Sequence, residues 1–197
     1  KAVAANSDLT IGGNVLFNRY PQATSVNRDD STSPVLTYGN VYVRDFTDFA
    51  DFNISSIHVS NNNRLMIFSS NKSGGYGGED LWFSEITENN IWSKPVNMGP
   101  TINSSYDEIS PFIHPDGVTL FYSSNNEKSI GGYDIFVTQK DKNNSWPTAE
   151  NLGIPINTVF NEKYFSTSID GTIGYYESNN EEENTDLFSV NIEKPYS

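Results

Sequence analysis

Cysteine is absent from the 197 residues, which excludes disulfide scaffolds, thiolate metal sites and thiol nucleophiles together. The compartment stays open, because a chain without cysteine tolerates oxidising and reducing surroundings alike. Histidine and methionine are scarce, at two each. Basic residues are few as well: 12 Lys and Arg stand against 25 Asp and Glu, for a net charge of −13. An acidic surface repels phosphate backbones and anionic lipid, so nucleic acid is not an expected partner; the same charge also keeps a domain soluble. No apolar run approaches the ~20 residues that span a bilayer. Lys1-Ala2-Val3-Ala4-Ala5 is too short for a signal peptide and no initiator Met precedes it, so the N-terminus reads as processed or truncated.

What the chain does have is aromatic and turn-forming residues. There are 12 Phe, 11 Tyr, 14 Gly and 9 Pro. Aromatic richness suits strands, and frequent Gly, Pro, Asn and Ser suit turns. A repeat organises them. Leu65-Met66-Ile67-Phe68-Ser69-Ser70-Asn71 is answered by Leu120-Phe121-Tyr122-Ser123-Ser124-Asn125, with Ser70 and Ser124 standing 54 positions apart. The same offset relates Gly77-Gly78 to Gly131-Gly132, Asp80 to Asp134, and Trp92 to Trp146. It also relates Asn97 to Asn151, Asn103 to Asn157, and Glu108 to Glu162. A third copy carries Asp116-Gly117 forward to Asp170-Gly171; a loop two residues shorter then places Asp186 at the Asp134 position.

Each copy reads as four short strands. In the middle copy these are Ile109 to His114, Val118 to Ser123, Tyr133 to Gln139, and a shorter one around Trp146 to Leu152. Pro115-Asp116-Gly117 turns between the first two, with Pro presetting φ and Gly accepting a positive one. No segment of the repeat keeps a helical period. Tandem four-stranded units of this length predict an all-β chain, a β-propeller or part of one. The expected organisation is a poorly defined segment over 1–52, blades over 53–107 and 108–161, an incomplete blade over 162–193, and a tail over 194–197. Asn14-Val15-Leu16-Phe17 and Asn40-Val41-Tyr42-Val43 are candidate middle strands of a degenerate N-terminal blade.

The run His114-Pro115-Asp116-Gly117-x-x-Leu120-Phe121-Tyr122-Ser123-Ser124-Asn125 resembles the core motif of WD40-like repeats in TolB-type propellers. Gly131-Gly132-Tyr133-Asp134-Ile135-Phe136 and the later Trp146…Glu150-Asn151-Leu152-Gly153-x-Pro155-Ile156-Asn157 extend it. The fuller pattern is similar to the propeller region of Gram-negative envelope proteins of the OmpA family. It covers residues 53–192 and not 1–52. The first copy departs by having Ser60-Asn61-Asn62-Asn63 at the turn, and the third lacks the Pro. The peptidoglycan-binding domain of those proteins is not within this sequence. The resemblance implies an exported protein, periplasmic or outer-membrane-associated.

Candidate chemistry follows from the repeat positions. Asp80, Asp134 and Asp186 each follow a loop and open a strand. Asp in a Gly-rich loop ligates calcium in other proteins, but one carboxylate per blade is too few, and turn-fixing through backbone N–H groups is the better account. Asp107, Glu108 and Glu162 precede first strands, where they form either an acidic ring for a cation or basic peptide, or a set of inter-blade hydrogen bonds. Tyr76 stands at the tip of Gly74-Gly75-Tyr76-Gly77-Gly78, a loop without the Lys-Ser/Thr of a phosphate cradle, and is a candidate contact residue. Trp92 and Trp146 recur at the repeat spacing and read as blade packing. His58 and His114 occupy non-equivalent positions, and no G-x-S-x-G elbow accompanies them, so no catalytic site is read. The Asp-Gly turns are similar to sialidase Asp boxes, but the Trp after the Gly is missing. Asn179 to Asn184 reads as a solvated acidic loop.

No cofactor or metal is called for. The expectation is a non-catalytic protein-binding or scaffold module of the cell envelope. It would belong to a larger peptidoglycan- or outer-membrane-associated protein, or to a secretion or motility assembly, with self-association open. The alternative is a carbohydrate-binding or carbohydrate-active propeller. A prolyl-peptidase gate would require an α/β-hydrolase domain that this sequence does not contain.

Overall fold

The computed structural model describes residues 23–26, 35–38, 49, 51–88, 91–179 and 184–192. The chain forms two compact units, Lys1–Ala50 and Asp51–Ser197. In the first, β1 (Ala23–Val26) pairs antiparallel with β2 (Val35–Tyr38), Ala23 opposite Tyr38. The strands expected at 14–17 and 40–43 lie outside the described residues, as does the tail at 194–197.

The second unit is all β. One sheet runs β3 (Ile54–Val59), β4 (Leu65–Ser70), β5 (Asp80–Glu85), β6 (Val96–Asn97), in that spatial order. The next repeats it with β7 (Glu108–Ile113), β8 (Thr119–Ser124), β9 (Asp134–Gln139) and β10 (Glu150–Asn151). Every strand of the second sheet starts 54 residues after its counterpart in the first. The last sheet has three strands among the described residues: β11 (Glu162–Thr167), β12 (Ile173–Asn179) and β13 (Thr185–Asn191). All neighbouring pairs are antiparallel. The all-β, partial-propeller architecture expected from the repeat is therefore present.

The observed strands refine the expected ones. β7 starts at Glu108 and ends at Ile113, because His114 already belongs to the turn, its C=O accepting the Gly117 N–H. The fourth strand shrinks to two residues in both complete sheets, and Trp146 lies outside it. All three first-to-second-strand turns have one geometry despite different sequences. Asn63, Gly117 and Gly171 hold the same place with φ of 55°, 74° and 68°. Asn tolerates the left-handed region, so the first copy closes without Asp-Gly. Asp116 accepts the Val118 and Thr119 N–H groups, and Asp170 accepts that of Thr172. Hydrogen bonds from Ser168 and Thr172 hold the Asp170 carboxyl down at about 2.

Side-chain alternation with period two sends successive residues of a strand to opposite sheet faces. β4 and β8 are buried along their whole length, since sheets or loops cover both faces. Ile67 and Leu81 of the first sheet meet Ile113, Tyr122 and Phe136 of the second. Phe121 and Ile135, on the opposite face of the second sheet, meet Phe165 and Tyr176 of the third. Phe121 bridges this second junction to Phe165 at 4.6 Å between centroids, and within the third sheet Phe165 lies 6.4 Å from Tyr176. The core is thus a series of inter-sheet layers. Trp146 packs at the edge of the first layer, and Trp92 forms an isolated bridge to Ile86.

Phe121 is fully enclosed between two sheets. Phe121→Ala should cost about 3–5 kcal/mol, the range for emptying a buried aromatic site, read as a lowered midpoint in urea unfolding.

Candidate functional site

The residues singled out by the repeat divide into a buried framework and an exposed loop end. Asp80 is the hub of the framework. Its carboxylate accepts the N–H groups of Tyr76 (2.7 Å) and Gly77 (2.9 Å) and the Asn97 amide (2.7 Å). Asn97 Oδ1 in turn accepts the Gly99 N–H and the Asn103 amide. Asn103 closes the circuit on the backbone: its Oδ1 accepts the Leu81 N–H at 2.8 Å and its Nδ2 donates to the Leu81 C=O at 3.0 Å. Asp134, Asn151 and Asn157 repeat every one of these contacts around Ile130, Gly131, Gly153 and Ile135. These two aspartates therefore fix turns. Asp186 is exposed on β13, and the loop before it, at 180–183, lies outside the described residues.

Glu108 and Glu162 are fully buried, so neither faces a partner. Glu108 accepts the Ser104 N–H and the hydroxyls of Ser104 and Ser124. Glu162 treats Thr158 and Ser178 in the same way. Burial pushes the Glu108 carboxyl up, and the bonds from Ser104 and Ser124 work against that rise. Of the three carboxylates read as either an acidic ring or inter-blade hydrogen bonds, Asp107 alone stays partly exposed, and it is joined by Glu79. Asp107 accepts the Glu79 N–H at 2.9 Å and the Tyr133 hydroxyl at 2.8 Å. Glu79 accepts the Ser55 hydroxyl, and burial together with the Asp107 and Asp80 charges raises its carboxyl. Tyr133 is raised by burial and by its bond to Asp107, so it remains a phenol.

The loops around this group form one end of the stacked sheets. The Gly-Gly pairs explain the closeness: a Cβ on Gly77 would stand 1.9 Å from the Tyr106 carbonyl, and one on Gly131 2.4 Å from the Val159 carbonyl carbon. Only glycine lets the loop before the third strand touch the segment leading into the next sheet. The consequence is that Tyr76 and Tyr106 come from adjacent loops, as do Ile130 and Val159, and all four are exposed. Tyr76 was legible from sequence. Tyr106, Ile130 and Val159 were not, although each lies in a polar or Gly-rich loop, where a large apolar residue is itself a signal.

The histidines are structural. His58 Nδ1 accepts the Ile113 N–H at 3.1 Å, and its ring lies 4.8 Å from that of Phe112. Burial pushes its pKa from 6.5 down to about 4. His114 Nδ1 accepts the Asp116 N–H within the turn. Among the described residues no three of His, Asp and Glu are grouped as metal ligands, and no helix is long and apolar enough to cross a membrane.

Antiparallel sheets of up to four strands, repeated in tandem and stacked face to face, define the β-propeller class, here as a run of blades. Within that class the chain is similar to TolB from Acinetobacter baumannii, with a TM-score of 0.51 and 14% identity, covering 92% of this chain and 38% of that one. The likeness establishes a TolB-like propeller fold, and the chain spans little more than a third of that protein's length. A structure from a study of two prolyl endopeptidases also matches, at a TM-score of 0.38 and 14% identity over 87% of this chain and 32% of that one, which is too low to carry an argument. No protein-family model and no curated protein matches the chain.

Asn157 is fully buried, and truncating it strands the Ile135 N–H. Asn157→Ala should destabilise by about 1–3 kcal/mol in urea unfolding, the cost of an unsatisfied buried group. The pH dependence follows from His58. Its folded pKa lies below the unfolded value, so the unfolded chain binds the proton first as pH falls. Stability should drop from about pH 6.5 to pH 4, by at most about 3 kcal/mol, and His58→Gln should flatten that slope. Thermal melts of both proteins across this window check it. Glu108, whose raised carboxyl acts with the opposite sign, is common to both and cancels in the difference.

Proposed function

We propose that the chain is a non-catalytic protein-binding module of a bacterial cell envelope, and that it binds through the loop end of its blades. The observation that carries this reading is the exposed set Tyr76, Tyr106, Ile130 and Val159, held on rigid loops beside Asp107 and Glu79. Rigid aromatic residues with an acidic margin suit a basic or amphipathic peptide segment, because exposed Tyr buries large area at low entropic cost. The envelope setting rests on the motif resemblance and on the TolB-like fold. The parent protein would be peptidoglycan- or outer-membrane-associated, or part of a secretion or motility assembly.

The geometry favours a protein over a glycan ligand. Aromatic platforms for sugars need a free ring face, and at Trp146 and Tyr133 a lysine takes one, Lys140 Nζ at 5.1 Å and Lys163 Nζ at 4.3 Å from the ring centroids. Glu108 and Glu162 are enclosed and hydrogen-bonded, so neither carboxylate is open to a sugar.

The double variant Tyr76→Ala/Tyr106→Ala should lower capture of the partner from envelope extract by tenfold or more, while the melting temperature stays within a degree or two. Undiminished capture by that variant would overturn the loop end as the binding face.

A further inference from the structure

The two junctions between successive sheets share one backbone design and differ in the side chains it carries. At the first, the Asp107 carboxylate accepts the Glu79 N–H at 2.9 Å; at the second, Asn161 Oδ1 accepts the Tyr133 N–H at 3.0 Å. The Glu79 C=O accepts the Glu108 N–H, and the Tyr133 C=O that of Glu162. Asn161 and Tyr133 stand 54 positions after Asp107 and Glu79. An amide and a phenol thus do at the second junction what two carboxylates do at the first, so the fold does not call for the charge. Among the described residues neither carboxylate forms an ion pair, and Lys163 Nζ sits 4.3 Å from the Tyr133 ring instead. The exposed apolar neighbours change too. The first junction shows Tyr76 and Tyr106, the second Ile130 and Val159. One site is aromatic and anionic, the other aliphatic and without a carboxylate at the matching positions.

We propose that the loop end recognises a polyproline II segment of a partner protein. A basic side chain of that segment pairs with Asp107 and Glu79 beside the two tyrosines, and an aliphatic side chain three positions along packs on Ile130 and Val159. The spacing follows from the fold. Equivalent points of packed sheets lie about 10 Å apart. Tyr133 spans that gap, its N–H on Asn161 at the second junction and its hydroxyl on Asp107 at the first, at 2.8 Å. A polyproline II chain turns once in three residues and rises about 3.1 Å per residue, so side chains three apart share a face at about 9 Å. A β-strand offers same-face spacings of about 7 and 13 Å, and both miss. An α-helix reaches about 10 Å only at seven positions, and its intervening apolar turns would rest on polar ground at Asp107, Gly132 and Asn161. Exposed tyrosines also suit the preformed polyproline II helix, which loses little entropy on binding. A second copy of this chain, at a net charge of −13, is repelled by the same carboxylates. The proposal rests on the loop end being the binding face and specifies what it binds.

The test titrates the 197-residue chain into fluorescent peptides and reads anisotropy. The probes are Pro-Pro-Arg-Pro-Pro-Leu-Pro-Pro and the same peptide with Arg and Leu exchanged. Their companions set Arg and Leu two or four positions apart, or replace Arg by neutral citrulline. One of the two probes should bind about tenfold more tightly than any companion, and added salt should narrow its lead over the citrulline peptide. Asp107→Asn, an exchange that the second junction already uses, should erase the preference for Arg over citrulline with the melting temperature unchanged. Ile130→Asp should erase the preference for the three-residue spacing. Equal binding at every spacing, or a preference for Arg that survives Asp107→Asn, would sink the proposal. So would tighter binding of an amphipathic helical peptide with Arg and Leu seven positions apart. If no peptide binds while Tyr76→Ala/Tyr106→Ala still loses the envelope partner, the polyproline II proposal fails and the loop end stands as the binding face. If no peptide binds and capture is undiminished, both fail.

Discussion

A blade whose fourth strand is two residues long cannot satisfy the outer edge of its third strand through backbone pairing alone. Asn103 and Asn157 resolve this by lending their amides to the ladder, each bonding both the N–H and the C=O of one third-strand residue. Asp80 and Asp134 hold those asparagines indirectly through Asn97 and Asn151. In a buried, low-dielectric setting such a circuit is worth having only when every member is satisfied. That requirement explains why Asp, Asn and Asn recur together in both complete sheets.

The same circuit carries the loop end. The Asp carboxylates that hold the fourth strand also fix the loop before the third, through the Tyr76 and Ile130 N–H groups. Glu108 and Glu162 then pin the segment entering the next sheet. Exposed side chains such as Tyr76 and Tyr106 are therefore presented by backbone that is bonded on both sides. Binding surfaces work best when little freedom remains to be lost, and the blade framework already orders these loops.

Much of this was legible in the sequence. The 54-residue offset between Ser70 and Ser124 carried the blade count and the strand order, because identical spacing implies an identical hydrogen-bonded unit. Turn-fixing by Asp80 and Asp134 was readable from their place after a loop. The burial of Glu108 and Glu162 was not. Carboxylates usually stay in water, and only the meeting of Ser104 with Ser124, and of Thr158 with Ser178, makes enclosure favourable. The length assigned to the fourth strand was also too great, since aromatic content near Trp146 imitates a strand that the Asn clamp replaces.

The sequence by itself determined the repeat, the all-β class and the residues that must act in register, because periodicity and turn chemistry are local properties. Tertiary structure decided which faces are covered and which are not. Leu187 and Ile135 stand at equivalent positions, yet one is solvated and the other enclosed. Nothing in either residue distinguishes them. The difference is whether a further sheet lies against the strand, and burial is fixed by that neighbour rather than by the residue.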